Sequence, residues 1–512
     1  MGTVMPGKVV MVQGTASSVG KSTLAAALCR ILRQDGWNVA PFKAQNMSLN
    51  SFVTADSKEM GRAQVVQDEA AVVEPHVDMN PILLKPEADN RSQVVVMGVP
   101  VGGLDAVEYY SRKKYMWAKV TEALDRLRSQ YAVIVIEGAG SPAEINLKDK
   151  DIVNMAVARY CRASVLLVGN IDLGGVFASL VGTLELLDPE ERALVRAFVI
   201  NKFRGDLSLL TPGLTWLEER TRIPVAGVVP YFNDIRIPEE DSMPLERRLR
   251  MKAGTDYLLD IAVIGFPHIA NFDDFDPLEQ ESGIRLRYVE PNDHLGNPDL
   301  IILPGTKSTI ADLAYLRETG LDSEIAAHAR CGIPVIGICG GYQMLGKWIL
   351  DPQHVESDHS RAQGLGLLPL TTVFTPDKST HQIKGRVVEG RGILQGAAGL
   401  PLRGYEIHMG QTSDEGASPP FVIEGRAGSP GQHPDGALNT EGNILGTYIH
   451  GLFHNEGLRR SILSELARRK GICLPPWTRV STVEEEYDRL ADLVRGSLDM
   501  GLVYRIIGID GT

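Results

Sequence analysis

Basic residues are scarce. In 512 residues, 52 Lys plus Arg stand against 64 Asp plus Glu, a net charge of −12. General nucleic-acid binding needs a cationic surplus facing phosphates, so no nucleic-acid partner is expected. Cysteine is also rare: Cys29, Cys161, Cys331, Cys339 and Cys473 form an odd set with no CxxC pair. That argues against a disulfide scaffold and a cysteine zinc site, and fits a reducing cytoplasm. Aromatic residues reach only 6%. No run of about 18 uncharged apolar residues appears, so no membrane span is expected. The opening MGTVMPGKVVMVQG has no basic start, apolar stretch or cleavage site, so no signal peptide is expected either. What remains is an ordinary globular composition, 44% hydrophobic and 23% charged. The length exceeds what one core supports and predicts two or three domains.

Apolar runs alternate with helical patterns, which predicts an α/β fold built on parallel sheets. In the first half the expected buried strands are 9–12, 38–42, 133–136, 164–168, 197–200 and 225–229. An amphipathic helix is expected over 24–33. The charged, proline-bearing stretch after Tyr231 reads as a linker. A second α/β pattern has strands at 261–265, 299–303 and 334–338. A helix at 310–328 and shorter strands at 384–388, 405–408 and 443–449 complete it. The segment 457–495 is helical in pattern. The predicted division is a P-loop domain over 1–235, a linker over 236–258, a second α/β domain over 259–455 and a helical tail over 456–512.

The first site follows strand 9–12. Gly14-Thr15-Ala16-Ser17-Ser18-Val19-Gly20-Lys21-Ser22 leads into a helix, the context a phosphate loop requires. Glycines let backbone N–H groups turn inward. Lys21 reaches the β/γ-phosphates, and the Ser22 hydroxyl ligates Mg²⁺. The loop is a variant, because Gly14 stands one place early and Thr15 takes the usual first-glycine position. The dethiobiotin synthetase-like branch of P-loop proteins shares this variant. Glu137 ends strand 133–136 and is a candidate Mg²⁺ ligand, with Asp56 as a second. Asn201, at another strand end, is positioned to read an adenine edge.

The second site is Gly337-Ile338-Cys339-Gly340-Gly341, a strand–turn–helix with cysteine in the nucleophile position. The small flanking residues permit the tight turn, and the helix N-terminus favours a thiolate. A cysteine nucleophile needs a base. His450, in GTYIHG, is the candidate and His408, in GYEIHMG, its rival. Gly305 and Gly340 are the candidate oxyanion donors. The two sites together describe coupled chemistry. The cysteine releases ammonia from an amide, and ATP activates a carboxylate that ammonia then attacks. The reading is an ATP-dependent amide ligase fed by glutamine.

The cysteine elbow with His450 resembles a class I glutamine amidotransferase domain. The segments VQGTASSVGKS, PFKAQNMSLNSFVTADSKEMGRAQ, EPHVDMNPILLKP, EGAGSPAEINLKDKDIVNMAVA, DLGGVFASL, GYEIHMG and GTYIHGLF resemble the cobyrinate/cobyric acid amidating family, in its branch whose product is cobyric acid. That resemblance implies amidation of the b, d, e and g carboxylates of adenosylcobyrinic acid a,c-diamide, with ATP, Mg²⁺ and glutamine. It implies Cys339 as nucleophile and His450 as its base, and Gly14, Lys21 and Ser22 facing ATP. A corrinoid polycarboxylate bound by an acidic protein needs local cations, and Arg62, Lys85 and Arg91 are the candidates.

Two departures stand out. Many class I glutaminases carry Pro-Glu after the histidine, but here Gly451-Leu452-Phe453 follows His450. A slow glutaminase is therefore expected when ATP and corrinoid are missing. The stretch 54–59 is also less glycine-rich than the family pattern. Competing readings are cobyrinate a,c-diamide synthesis, dethiobiotin synthetase-like chemistry, and a ParA-like nucleotide switch.

Overall fold

A computed structural model describes residues 6–88, 91–232, 234–237, 257–290, 293–414, 416–426, 429–476 and 481–509. The chain forms two compact units. One is Met1–Ser48, Met60–Asp241 and Ser481–Thr512; the other is Leu49–Glu59 and Ser242–Val480.

The uninterrupted apolar runs of the first half become a parallel sheet, because strands covered on both faces must be apolar along their whole length. Its order is Val225–Pro230, Val195–Phe203, Ser164–Asn170, Lys8–Gly14, Val133–Glu137, Val39–Phe42. Each predicted strand is present, one to five residues longer or shorter. The helix Lys21–Gln34 buries Leu24, Leu28, Ile31 and Leu32 against this sheet. Each such side chain contributes roughly 1.5–3 kcal/mol. A smaller sheet joins Gln45–Met47, Ile82–Ala88, Arg91–Val96 and Val99–Asp105.

The expected C-terminal tail does not stay together. Glu456–Lys470 is a helix of the second unit, whereas Val483–Ser497 and Met500–Ile507 belong to the first. Tyr487, Leu490, Val494 and Val503 share one core with Val10, Leu28 and Ile31. Arg30 pairs with Asp488 at 2.7 Å, fastening the same contact. Of the expected linker, residues 238–256 lie outside the described residues.

The second unit has its own sheet: Ile284–Val289, Leu259–Ile264, Leu300–Leu303, Val335–Ile338, Ile444–Thr447, with Ala437–Leu438 antiparallel at the edge. A mixed sheet built on Leu370–Val387 and Pro401–Asp414 lies alongside in sequence and packs in the same core. Two helix expectations change. The run 310–328 breaks into Thr309–Thr319 and Leu321–Arg330, because Gly320 adopts φ 77° and ends the first helix. The helix after Cys339, expected over 342–350, is only Gly340–Leu345, and Trp348–Leu350 becomes a strand.

Candidate active sites

In the first unit the loop from Gly14 to Lys21 is closed by its own side chains. The helix Lys21–Gln34 begins at Gly20, with φ 96° and no side-chain cap, a geometry that leaves its first N–H groups suited to an anion. Lys21 is buried and donates to Ala16 O at 3.0 Å and Gly140 O at 3.1 Å. A Cβ at Gly14 would meet Val19 Cγ2 at 2.4 Å, so glycine is required where the strand turns into the loop. The backbone N–H of Thr15 donates to Val168 O at 3.0 Å.

Glu137 is the centre of a converging set. The Ser22 hydroxyl donates to its Oε1 at 2.7 Å, Lys43 Nζ reaches the same oxygen at 3.1 Å, and Gln67 Nε2 donates to Oε2. All three bonds end on a fully buried carboxylate. Ser22 and Glu137 are thus brought together as expected. Lys43 and Gln67 were not foreseen. The register accounts for Lys43: Phe42 stands opposite Ile136, so the next residue falls beside Glu137. A hydroxyl beside a carboxylate is a donor set that suits a hard cation such as Mg²⁺.

Other expectations meet different surroundings. Asn201 donates its amide to Val19 O at 2.8 Å and accepts the Lys202 N–H at 2.9 Å, while Lys202 Nζ reaches Ser18 O at 2.8 Å. Its amide is thus engaged in shaping the loop. Asp56 belongs to the second unit, in a turn where it accepts from Thr54 at 2.5 Å and pairs with Lys58 at 2.9 Å. Arg62 pairs with Glu69 at 3.0 Å, whose second oxygen accepts from Tyr487 OH at 2.8 Å. Lys85 is buried in the strand Ile82–Ala88. Arg91 opens the neighbouring strand, and its side chain lies outside the described residues.

In the second unit Cys339 sits between the strand Val335–Ile338 and the helix Gly340–Leu345, with φ 52° and ψ −109°. A non-glycine residue held at positive φ marks a strained turn. Gly337 and Gly341 make it feasible, since a Cβ on Gly341 would strike Leu303 O at 2.0 Å. The thiol lies 3.6 Å from Ile407 O, and Cys339 acts electrostatically on the His450 imidazole. Gly305 packs against the pair: a Cβ there would be 3.0 Å from His450 Cε1 and 3.8 Å from Cys339 Cβ. A Cβ on Gly340 would meet Thr306 Cγ2 at 2.6 Å, so both candidate oxyanion glycines line this turn. Asp312 holds the loop carrying Gly305, accepting from Thr306 Oγ1 and bonding His268 Nδ1 at 2.8 Å.

The acid that sequence reasoning could not place is Asp274. It lies in the 3-10 turn Phe272–Phe275, and its Oδ2 is 2.7 Å from His450 Nδ1. Its Oδ1 accepts the Gly451 N–H at 2.7 Å. The pair is almost fully buried. No motif signal marks an acid 176 residues before its histidine. Burial opposes charge on His450, but the Asp274 carboxylate and Cys339 outweigh it and raise its pKa to about 10. His450 therefore holds its proton at neutral pH. His408 goes the other way. Burial above all, opposed only by the Gly410 backbone and reinforced by His450 and Arg426, pushes it to about 3. Its ring stacks on Tyr448 with centroids 3.7 Å apart. His408 is thus a neutral packing element.

The fold and the sites define a class: a P-loop nucleotide-binding unit and a cysteine-dependent glutaminase unit on one chain. Comparison with known proteins agrees. Residues 10–245 match the CobQ/CobB/MinD/ParA nucleotide binding domain, and residues 260–458 match the CobB/CobQ-like glutamine amidotransferase domain. The cobyric acid synthase of Sorangium cellulosum is 54% identical, over 98% of this chain and 99% of its own. Those of Dehalococcoides mccartyi and Moorella thermoacetica are 52% and 53% identical over 98% of this chain, and over 99% and 98% of theirs. The chain belongs to the cobyric acid synthase family. It is a glutamine-hydrolysing carbon–nitrogen ligase of cobalamin biosynthesis, and the a,c-diamide synthase reading is not favoured. Among the described residues no helix is long and apolar enough to cross a membrane.

Proposed function

We propose that the enzyme amidates the b, d, e and g carboxylates of adenosylcobyrinic acid a,c-diamide, using glutamine as nitrogen donor and ATP with Mg²⁺, to give adenosylcobyric acid. The observation that carries the glutaminase half is Cys339 on its strained turn beside a His450 fixed by Asp274. With the proton resting on His450, Cys339 attacks as a thiolate at the side-chain amide carbon of glutamine. A C–S bond forms, and backbone N–H groups of Gly305 and Gly340 stabilise the oxyanion. His450 then gives its proton to the departing nitrogen, the C–N bond breaks, and ammonia leaves. Water, deprotonated by the now neutral His450, hydrolyses the thioester to glutamate and restores the pair.

In the first unit the substrate carboxylate attacks the γ-phosphorus of ATP. ADP leaves and an acyl phosphate forms. Ammonia attacks that carbonyl and phosphate departs. Lys21 and the N–H groups at the start of the helix Lys21–Gln34 hold the phosphates, and Gly14, Thr15 and Gly20 give the loop its shape. Ser22 and Glu137 would hold Mg²⁺, which neutralises phosphate charge when bound. Lys43 and Gln67 orient the Glu137 carboxylate. Arg62, Lys85 and Arg91 are the candidate cations for the corrinoid carboxylates.

Incubation with cobyrinic acid a,c-diamide, ATP, Mg²⁺ and glutamine, followed by mass analysis of the corrinoid, tests the proposal. Four successive amidations are expected. Amidation of cobyrinic acid only to the a,c-diamide would refute it.

A further inference from the structure

The stretch 49–59 lies in the N-terminal part of the chain, between residues of the nucleotide-binding unit, yet it folds with the glutaminase unit. It forms a hairpin whose first strand is Ser51–Val53 and whose second begins at Glu59. The turn is closed by Thr54, whose N–H donates to Lys58 O at 2.8 Å and whose hydroxyl accepts the Lys58 N–H at 3.1 Å. The hairpin is anchored by buried charge. Glu59 accepts from Ser51 Oγ at 2.8 Å and pairs with Lys378 at 2.5 Å.

Each of its first residues ends one step from a member of the glutaminase triad. Asn50 Oδ1 accepts the Phe272 N–H at 3.3 Å, and Asn271 Oδ1 accepts the Ser51 N–H at 3.0 Å. This reciprocal clamp seizes the start of the Phe272–Phe275 turn, and Asp274 lies within that turn. Asn271 adopts φ 54°, a conformation asparagine tolerates and which the clamp holds. All four residues of the clamp are buried. Phe52 meets Tyr405 with ring centroids 5.9 Å apart, and Tyr405 stacks on the His450 ring at 5.2 Å and 16°. Tyr405 and His450 also exchange backbone hydrogen bonds, at 2.9 and 3.3 Å. Val53 packs with Tyr405 and Ile407, and the Ile407 carbonyl faces the Cys339 thiol.

We propose that the hairpin 49–59 is a positioning element of the glutaminase, with Asn50 and Phe52 setting the geometry of Asp274 and His450. The reason is chemical. A buried imidazole between a carboxylate and a thiol works only if both partners stay in line. The 3-10 turn has no side-chain cap of its own, since Asn271 makes no such bond. Its leading N–H is satisfied from outside, by Asn50. The ligase sequence thereby supplies part of the glutaminase, so the match at residues 260–458 does not contain everything the triad needs.

The test uses the full-length chain and rests on Cys339 and His450 being the glutaminase pair; Cys339→Ala, run alongside, checks that separately. Asn50→Ala removes the acceptor and Asn50→Asp retains it. Expected for Asn50→Ala is a roughly tenfold fall in glutamine-dependent kcat, the scale of losing an outer support of a reacting group. The KM for glutamine and the rate with ammonium chloride stay within about twofold. Asn50→Asp recovers most of the loss. Phe52, half-buried, gives a second probe that preserves the fold. Phe52→Ala shows the same kcat-selective pattern, and decides alone if Asn50→Ala does not fold. Equal falls with glutamine and ammonia, or no change in either, would overturn the proposal.

Discussion

Asp274→Asn is the sharpest single perturbation of the glutaminase. The carboxylate makes two bonds, to His450 Nδ1 and to the Gly451 N–H, each at 2.7 Å. Asparagine keeps the shape and one acceptor, so the fold survives. What it loses is charge, and its NH₂ can turn Nδ1 into an acceptor, which selects the wrong tautomer. His450 is raised from 6.5 to about 10 against the pull of burial, and Asp274 is the largest of the raising influences. Removing the charged partner of a buried ion pair costs about 3 kcal/mol, a factor of about 10² in rate. The expected outcome is a fall of about 10²-fold in glutamine-dependent kcat/KM, with ammonia-dependent amidation unchanged. The sign on pH follows. A lower His450 pKa deprotonates the imidazole sooner, so the alkaline limb of the glutaminase profile moves to lower pH. Steady-state assays with glutamine and with ammonium chloride across pH measure both effects. Glutamine-dependent activity within threefold of the parent would show that Asp274 does not govern His450.

Cys339→Ala should abolish glutamine-dependent amidation and leave ammonia-dependent amidation within about twofold, whereas Lys21→Ala should abolish both; corrinoid mass analysis reads each, and loss of both activities in Cys339→Ala would mean the thiol is structural. Gly20→Ala should weaken nucleotide binding at least tenfold by calorimetry, because φ is 96° and the new Cβ would strike Asn201 Nδ2 at 2.1 Å. Asp68 is fully buried, and neither carboxylate oxygen has a well-formed hydrogen bond. Burial raises its pKa well above 3.8, opposed in part by Gln64 and Arg62. The folded state thus holds this proton to higher pH than the unfolded state, and Asp68 costs stability progressively as pH rises above the carboxylate range. Asp68→Asn should stabilise by about 2 kcal/mol near pH 8 and by little near pH 4, measured as a melting-temperature difference; a gap that does not widen with pH would refute this.

The parallel sheets were legible because a strand buried on both faces is apolar throughout, and that leaves a mark in a single sequence. The phosphate loop, Glu137, Cys339 and His450 were legible because each sits where a strand ends, a position local pattern can locate. The helix breaks at Gly320 and Leu345 were missed because an apolar run reads the same in a short helix as in the strand that follows. Lys43, Gln67 and Asp274 were missed for a different reason. Their partners lie 94, 70 and 176 residues away, and only the folded register brings them together. The final helices joined the first unit through Tyr487 and Leu490, whose spacing predicts a buried face without naming what covers it.

The missing Pro-Glu after His450 changes where control over the histidine resides. An acid two residues beyond its histidine is held by the same loop, and local structure alone keeps the pair aligned. Here the acid comes from the turn after the strand Leu259–Ile264, so alignment depends on two separate segments keeping their spacing. A misplacement of about 1 Å at such a contact can cost about 10² in rate. The turn is held at its first residues by Asn50 and Ser51, which stand in the sequence just after the strand Gln45–Met47 of the other unit. The same chain leaves the hairpin into the helix Arg62–Ala71, which carries Gln67 to Glu137. One hairpin thus bears at its start on the turn that carries Asp274 and leads at its end into the helix that carries Gln67 to Glu137.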